Sequence, residues 1–121
     1  MEKEIPQIAK DIEEISKQII SRLQLEKEYH DEVVTVVRKY KEEVAKTTAA
    51  LALGATFELD GQKIKDLGAT SRKALVDGLC AKWEADSLIA KAKHKRLWEQ
   101  IEELQSKRIS KQTIFKHLDE T

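Results

Sequence analysis

Thr56-Phe57-Glu58-Leu59-Asp60-Gly61-Gln62-Lys63-Ile64-Lys65 reads as two short strands around an Asp-Gly turn. Asp-Gly favours a two-residue type I′ turn, because both central residues need positive φ. Phe57, Leu59 and Ile64 would then share one face. An isolated hairpin is marginal in water, so this one must pack on helix ends or pair with another hairpin. The alternative is an irregular loop with Phe57 tucked under the helices. Either way the stretch is a connector, because long helical patterns lie on both sides of it.

Upstream, from about residue 5 to residue 53, no Gly or Pro follows Pro6. Apolar residues recur at Ile8, Ile12, Ile15, Ile19, Leu23, Tyr29, Val33, Val36 or Val37, Tyr40 and Val44, in the steps of three and four that mark one helical face. Pro6 suits a first-turn position, where its missing N–H costs nothing. Glu26-Lys27-Glu28 leaves one turn without an apolar residue. A helix of this length either breaks near Glu26–Asp31 or makes the molecule long and thin.

Downstream, a helix is expected over about 71–108, capped by Thr70 or Ser71. Its seam runs Trp83, Ser87, Ala90, His94, Leu97, Ile101, Leu104, a heptad-like coiled-coil spacing. A second row adds Leu75, Leu79, Leu88, Ala92 and Trp98. Two rows are too wide for one partner helix, so self-association is expected, with Trp83, Leu88, Trp98 and Ile101 as the packing and association residues. If the chain reverses near residues 60–61, Tyr40 meets the Cys80–Trp83 region and Tyr29 meets Ala90–His94. Gly78 is then expected at the contact, where a larger side chain would overpack. A short helix follows over about 110–119. The fold expected is mainly all-α: one domain, residues 1–121, as a long antiparallel helical hairpin with connector 54–70, a possible β-hairpin at 56–65 and a short C-terminal helix.

Composition agrees. Of 121 residues, 36% are charged and 5% aromatic, a balance that suits exposed long helices better than a compact α/β enzyme. No apolar run long enough for a signal peptide or a membrane span occurs. Cys80 is the single cysteine, so no intrachain disulfide forms and a reducing cytoplasm is expected. Net charge is zero but unevenly spread. Residues 1–32 carry nine acidic and five basic side chains, and residues 91–118 carry eight basic and three acidic. Antiparallel pairing would place Lys91, Lys93, Lys95, Arg96, Lys107 and Arg108 beside Glu13, Glu14, Glu26 and Glu28. The same basic block also fits a phosphate backbone.

Catalytic and metal chemistry find little support in the spacing. The three histidines are His30, His94 and His117. Two histidines do not recur on one helical face, and Lys27 and Lys91 stand three before His30 and His94, where helical di-metal sites carry glutamate. No metal, cofactor or catalytic residue is therefore expected, and His94 reads as a satisfied seam histidine. Cys80, beside Leu79 and Trp83, reads as a buried, protonated thiol. Gly68-Ala69-Thr70-Ser71-Arg72-Lys73 lacks the spacing of a nucleotide loop. Arg22, Arg38 and Arg72 fall off or beside the seam, so the inward cations of an all-helical enzyme such as a chorismate mutase are not expected.

Ile109-Ser110-Lys111-Gln112-Thr113-Ile114-Phe115-Lys116-His117-Leu118 resembles the recognition helix of helix-turn-helix DNA-binding proteins over about ten residues. The resemblance implies that Lys111, Gln112 and Lys116 reach the groove while Ile109, Ile114 and Leu118 pack. In the preceding half, Leu104, Lys107 and Arg108 stand where the family has a small residue, an apolar residue and the turn glycine. The other reading of this segment is a short amphipathic helix, capped by Ser110, that folds back on the hairpin.

The function expected is non-enzymatic protein–protein interaction by a small cytoplasmic protein that forms a dimer or larger. Its general character would suit an accessory or inhibitory protein of a phage or mobile element that binds a host machine. The alternative is a small DNA-binding protein using residues 91–118, with Lys93, Lys95, Arg96, Lys107, Arg108, Lys111, Gln112 and Lys116 facing nucleic acid.

Overall fold

The computed structural model describes residues 4–54, 57–59, 62–64 and 68–119. The chain is mainly all-α: α1 (Glu4–Ala52), a two-stranded ladder β1 (Phe57–Leu59) and β2 (Gln62–Ile64), then α2 (Ala69–Leu79) and α3 (Ala81–Asp119). β1 and β2 pair antiparallel, with Phe57 opposite Ile64, Glu58 opposite Lys63 and Leu59 opposite Gln62. The Asp60-Gly61 turn lies outside the described residues. Among the described residues, no helix is long and apolar enough to cross a membrane.

α1 runs unbroken through Glu26–Asp31, where a break was one of two expectations. Charged turns cost a helix little when they consist of good helix formers, and Glu and Lys are such residues. The helix stops at Gly54, whose φ of +84° is the left-handed conformation. Its N–H bonds the Leu51 carbonyl at 3.1 Å, which satisfies one of the carbonyls a helix end leaves orphaned.

The second helical segment differs from the sequence reading at three points. It starts two residues early, at Ala69, with extended Gly68 at the N-cap, so Thr70 and Ser71 lie inside the helix and not at its cap. It is divided at Cys80, where φ −97° and ψ 5° leave the helical region. Gly78, a weak helix former two residues earlier, lowers the cost of that interruption. The Cys80 side chain is fully buried and its thiol lies 3.8 Å from the Thr47 hydroxyl, so the break fills a packing site. Finally, the expected separate helix at 110–119 is the continuous end of α3. Gln105, Ser106, Lys107 and Arg108 contain no Gly or Pro to stop a helix, and Ser110 sits mid-helix.

The chain divides into two compact units: residues 1–31 with 92–121, and residues 32–91. In the first, Asp11 is reached by Lys111, Ser16 by Arg108, and Glu26 by His94. Numbers fall along α3 as they rise along α1, so the two segments pack antiparallel. Its core is Ile8, Ile19, Leu97 and Ile101. In the second unit, Leu75, Val76, Cys80, Ser87 and Ala90 are buried, and the Lys39 ammonium lies 5.9 Å from the Trp83 ring centroid.

Burial along α3 follows the heptad read from the sequence, with Ser87, Ala90, Leu97 and Ile101 buried and Trp83, His94 and Leu104 half-buried. On α1 the seam departs from the reading at one place. It passes from Ile19 through half-buried Arg22 and Glu26 to Tyr29, and Leu23 is exposed. Four-residue steps from Ile19 to Leu23 drift ahead of the 3.6-residue turn, and the three-residue step to Arg22 brings the face back. Gly78 also departs. It is exposed, and a Cβ placed there would meet nothing within 4 Å, so it does not lie at the helix contact.

Candidate functional site

The turn of α1 that lacks an apolar residue is where polar groups meet. Glu26 and His30 are one helical turn apart on α1, a spacing that puts both on one face. His94 occupies a seam position on α3, opposite them. Its Nε2 lies 2.9 Å from Glu26 Oε1. A carboxylate only accepts, so His94 donates from Nε2 and its proton resides there when the ring is neutral. The His30 and His94 rings lie 5.9 Å apart between centroids and are tilted by 54°. One ligand atom from each of Glu26, His30 and His94 falls within 4.8 Å of the others. Glu26 and His94 are half-buried and His30 is exposed, so the cluster borders solvent.

His94 is hydrogen-bonded at the seam, as expected, and the structure brings to it two groups that the spacing within one helix does not pair with it, Glu26 and His30. Spacing within one helix reveals only paired ligands on that helix, and these three are divided between helices remote in sequence. The signal available was the combination of an apolar gap at Glu26–Glu28 with a histidine on the opposing seam. Such a polar seam position specifies helix register at some cost in stability.

The residues expected at an association surface are placed unequally. Ile101 is fully buried and Trp83 half-buried, so both belong to the chain's own packing. Leu88 is 58% exposed and Trp98 39% exposed. Two residues that were not expected at an association surface are as exposed as Leu88 and share one groove. Ile20 on α1 and Ile109 on α3 are 57% and 61% exposed, and they line one open groove with Ser16, Ile19, Gln105 and Arg108. Ile109 also borders an adjoining groove with Ile12, Gln112, Thr113, Phe115 and Lys116.

The basic segment is partly engaged within the chain. Arg108 Nε donates to the Ser16 hydroxyl at 2.9 Å, and that hydroxyl donates onward to the Ile12 carbonyl at 2.8 Å. Lys111 lies 3.4 Å from Asp11, and Lys107 3.6 Å from Glu103 on its own helix. Lys93 lies over the Tyr29 ring at 5.0 Å. Lys95, Arg96, Gln112 and Lys116 are exposed. Of the residues that the helix-turn-helix resemblance would pack, Leu118 is half-buried while Ile109 and Ile114 are exposed. With α3 continuous through Arg108, the turn that sets a recognition helix at an angle to its neighbour is missing.

Comparison with protein families, with curated proteins and with solved structures finds no match.

Proposed function

We propose that this chain is a non-enzymatic helical interaction module, built on antiparallel pairing of α1 with α3, that associates with a second copy of itself. The observation that carries this reading is the groove bordered by Ile20 and Ile109. Large aliphatic side chains left more than half in water on both walls of one groove are what an interface covers. At about 25 cal/mol per Å² of apolar surface, burying them is the main gain available to this unit.

Charge favours a second copy as the occupant. The α1 side of the groove belongs to the acidic segment and the α3 side to the basic one. A two-fold axis running along the groove would set each copy's acidic segment against the other's basic segment. Zero net charge leaves no overall repulsion between copies. Within a reducing cytoplasm Cys80 would remain a free thiol in such a dimer.

The engagement of Arg108, Lys111 and Lys93 by Ser16, Asp11 and Tyr29 supports this reading over DNA binding, because a phosphate would have to displace those partners. Sedimentation at micromolar concentration is the test. The expected result is a dimer that Ile109→Lys converts to a folded monomer. A wild-type species of 13.9 kDa would overturn the proposal.

A further inference from the structure

We propose that Glu26, His30 and His94 form a zinc site, two imidazole nitrogens and one carboxylate oxygen from within a single chain, with the fourth position left to water or an outside ligand. The ligand type is suited to the ion. Imidazole with carboxylate binds zinc and its neighbours in the first transition row, whereas magnesium and calcium require oxygen donors throughout.

The geometry is close to what coordination needs. Zinc held at about 2.0–2.1 Å by tetrahedral ligands puts those ligand atoms roughly 3.4 Å from one another. Here the three atoms lie within 4.8 Å of each other. His94 Nε2 and Glu26 Oε1, at 2.9 Å, must open slightly, and the other ligand-atom separations must shorten by up to about 1.4 Å. His30 is the exposed member of the three. The 54° tilt matters, because two parallel stacked rings could not aim nitrogens at a common point. The open side gives an ion its path in.

A hydrogen-bonded pair in the seam would account for Glu26 and His94. It does not account for a second imidazole brought to the same point from the next turn of α1. A shared ion accounts for all three. It takes the place of the proton at His94 Nε2, and that proton moves to Nδ1, so the neutral ring changes tautomer with no net proton loss and no redox step. The ion would tie α1 to α3 at the turn where the apolar seam is interrupted. The unfolded chain does not hold the three ligands together, so zinc binding stabilises the folded unit. The site lies within one chain and does not depend on self-association.

The test uses the full-length protein, untagged and stripped with a chelator, in competition with a zinc-sensitive dye and in thermal unfolding with zinc or magnesium chloride. One zinc per chain is expected, with Tm raised several degrees by zinc and unmoved by magnesium. His30→Ala, at an exposed position, should keep its fold and lose at least about tenfold in zinc affinity. His117→Ala should bind as the parent does, and so should monomeric Ile109→Lys. If His94→Ala fails to fold, His30→Ala still decides the matter. Failure of the parent to compete with the dye, or parental affinity in His30→Ala, would overturn the site.

Discussion

His94 Nε2 and Glu26 Oε1 stand 2.9 Å apart across the packing of α1 on α3, each with less than a quarter of its side chain in water. The pair occupies seam positions that an apolar layer would otherwise fill. Removing one partner and removing both should therefore have opposite effects. His94→Leu leaves a half-buried carboxylate without its donor and should cost about 1–3 kcal/mol. The double replacement of Glu26 and His94 by Leu should recover that loss or exceed the parent, as buried ion pairs exchanged for apolar groups often do. Urea unfolding of the parent, both single variants and the double variant measures this in one cycle. Equal loss in the single and double variants would show that the pair contributes net stability.

Ser16 links the same two helices nearly three turns closer to the N-terminus. Its hydroxyl accepts from Arg108 and donates to Ile12. Ser16→Ala should cost about 0.5–1.5 kcal/mol in the parent and much less in a background that already carries Arg108→Ala. Additive losses would mean that the two residues do not interact in solution.

Gly78 stands in α2 with open space where a Cβ would go and no left-handed backbone. Gly78→Ala should raise stability by about 0.5–1 kcal/mol, because alanine loses less backbone freedom on entering a helix. A lower melting temperature would restore the crowded contact that the spacing alone suggests.

Cys80 is fully buried beside Thr47 at the division of α2 from α3. A thiol reagent should therefore leave the native protein unlabelled and modify one thiol per chain once denaturant is added. Rapid native labelling would show that this junction opens.

Lys39 and Glu43 form a 2.9 Å pair on α1. The hydrogen bond from Lys39 holds the Glu43 carboxyl below its usual range, and the same bond raises the Lys39 ammonium. The depressed carboxyl contributes stability above its unfolded pKa, and that contribution is lost as pH falls through the folded value. The raised ammonium contributes below its unfolded pKa and loses this as pH rises through the folded one. Lys39→Met should accordingly lower the melting temperature slightly at neutral pH and leave it unchanged once Glu43 is protonated. A deficit that persists in acid would trace instead to the contact of Lys39 with Trp83.

Helix class was legible in the sequence because burial in a helix repeats every three or four residues. The row from Trp83 through Ile101 to Leu104 announces its face without any partner. Gly54 likewise marks the end of α1, since few other residues enter the left-handed region. Leu23 escaped that logic: over Ile15, Ile19 and Leu23 a run of fours outpaces the helix, and only the partner decides which residue turns inward.

The division at Cys80 and the open setting of Gly78 depended on tertiary packing. Both residues sit in one helical pattern, and only the contact with Thr47 determines which of them is enclosed. The Glu26–His30–His94 cluster is the clearest case. Periodicity is a property of one segment, whereas proximity between Glu26 and His94 depends on the register in which two segments dock. Sequence by itself determined that α1 has a turn without an apolar residue. Packing decided that the turn faces a histidine, because burial of Ile8, Ile19, Leu97 and Ile101 fixes the register in which the helices dock.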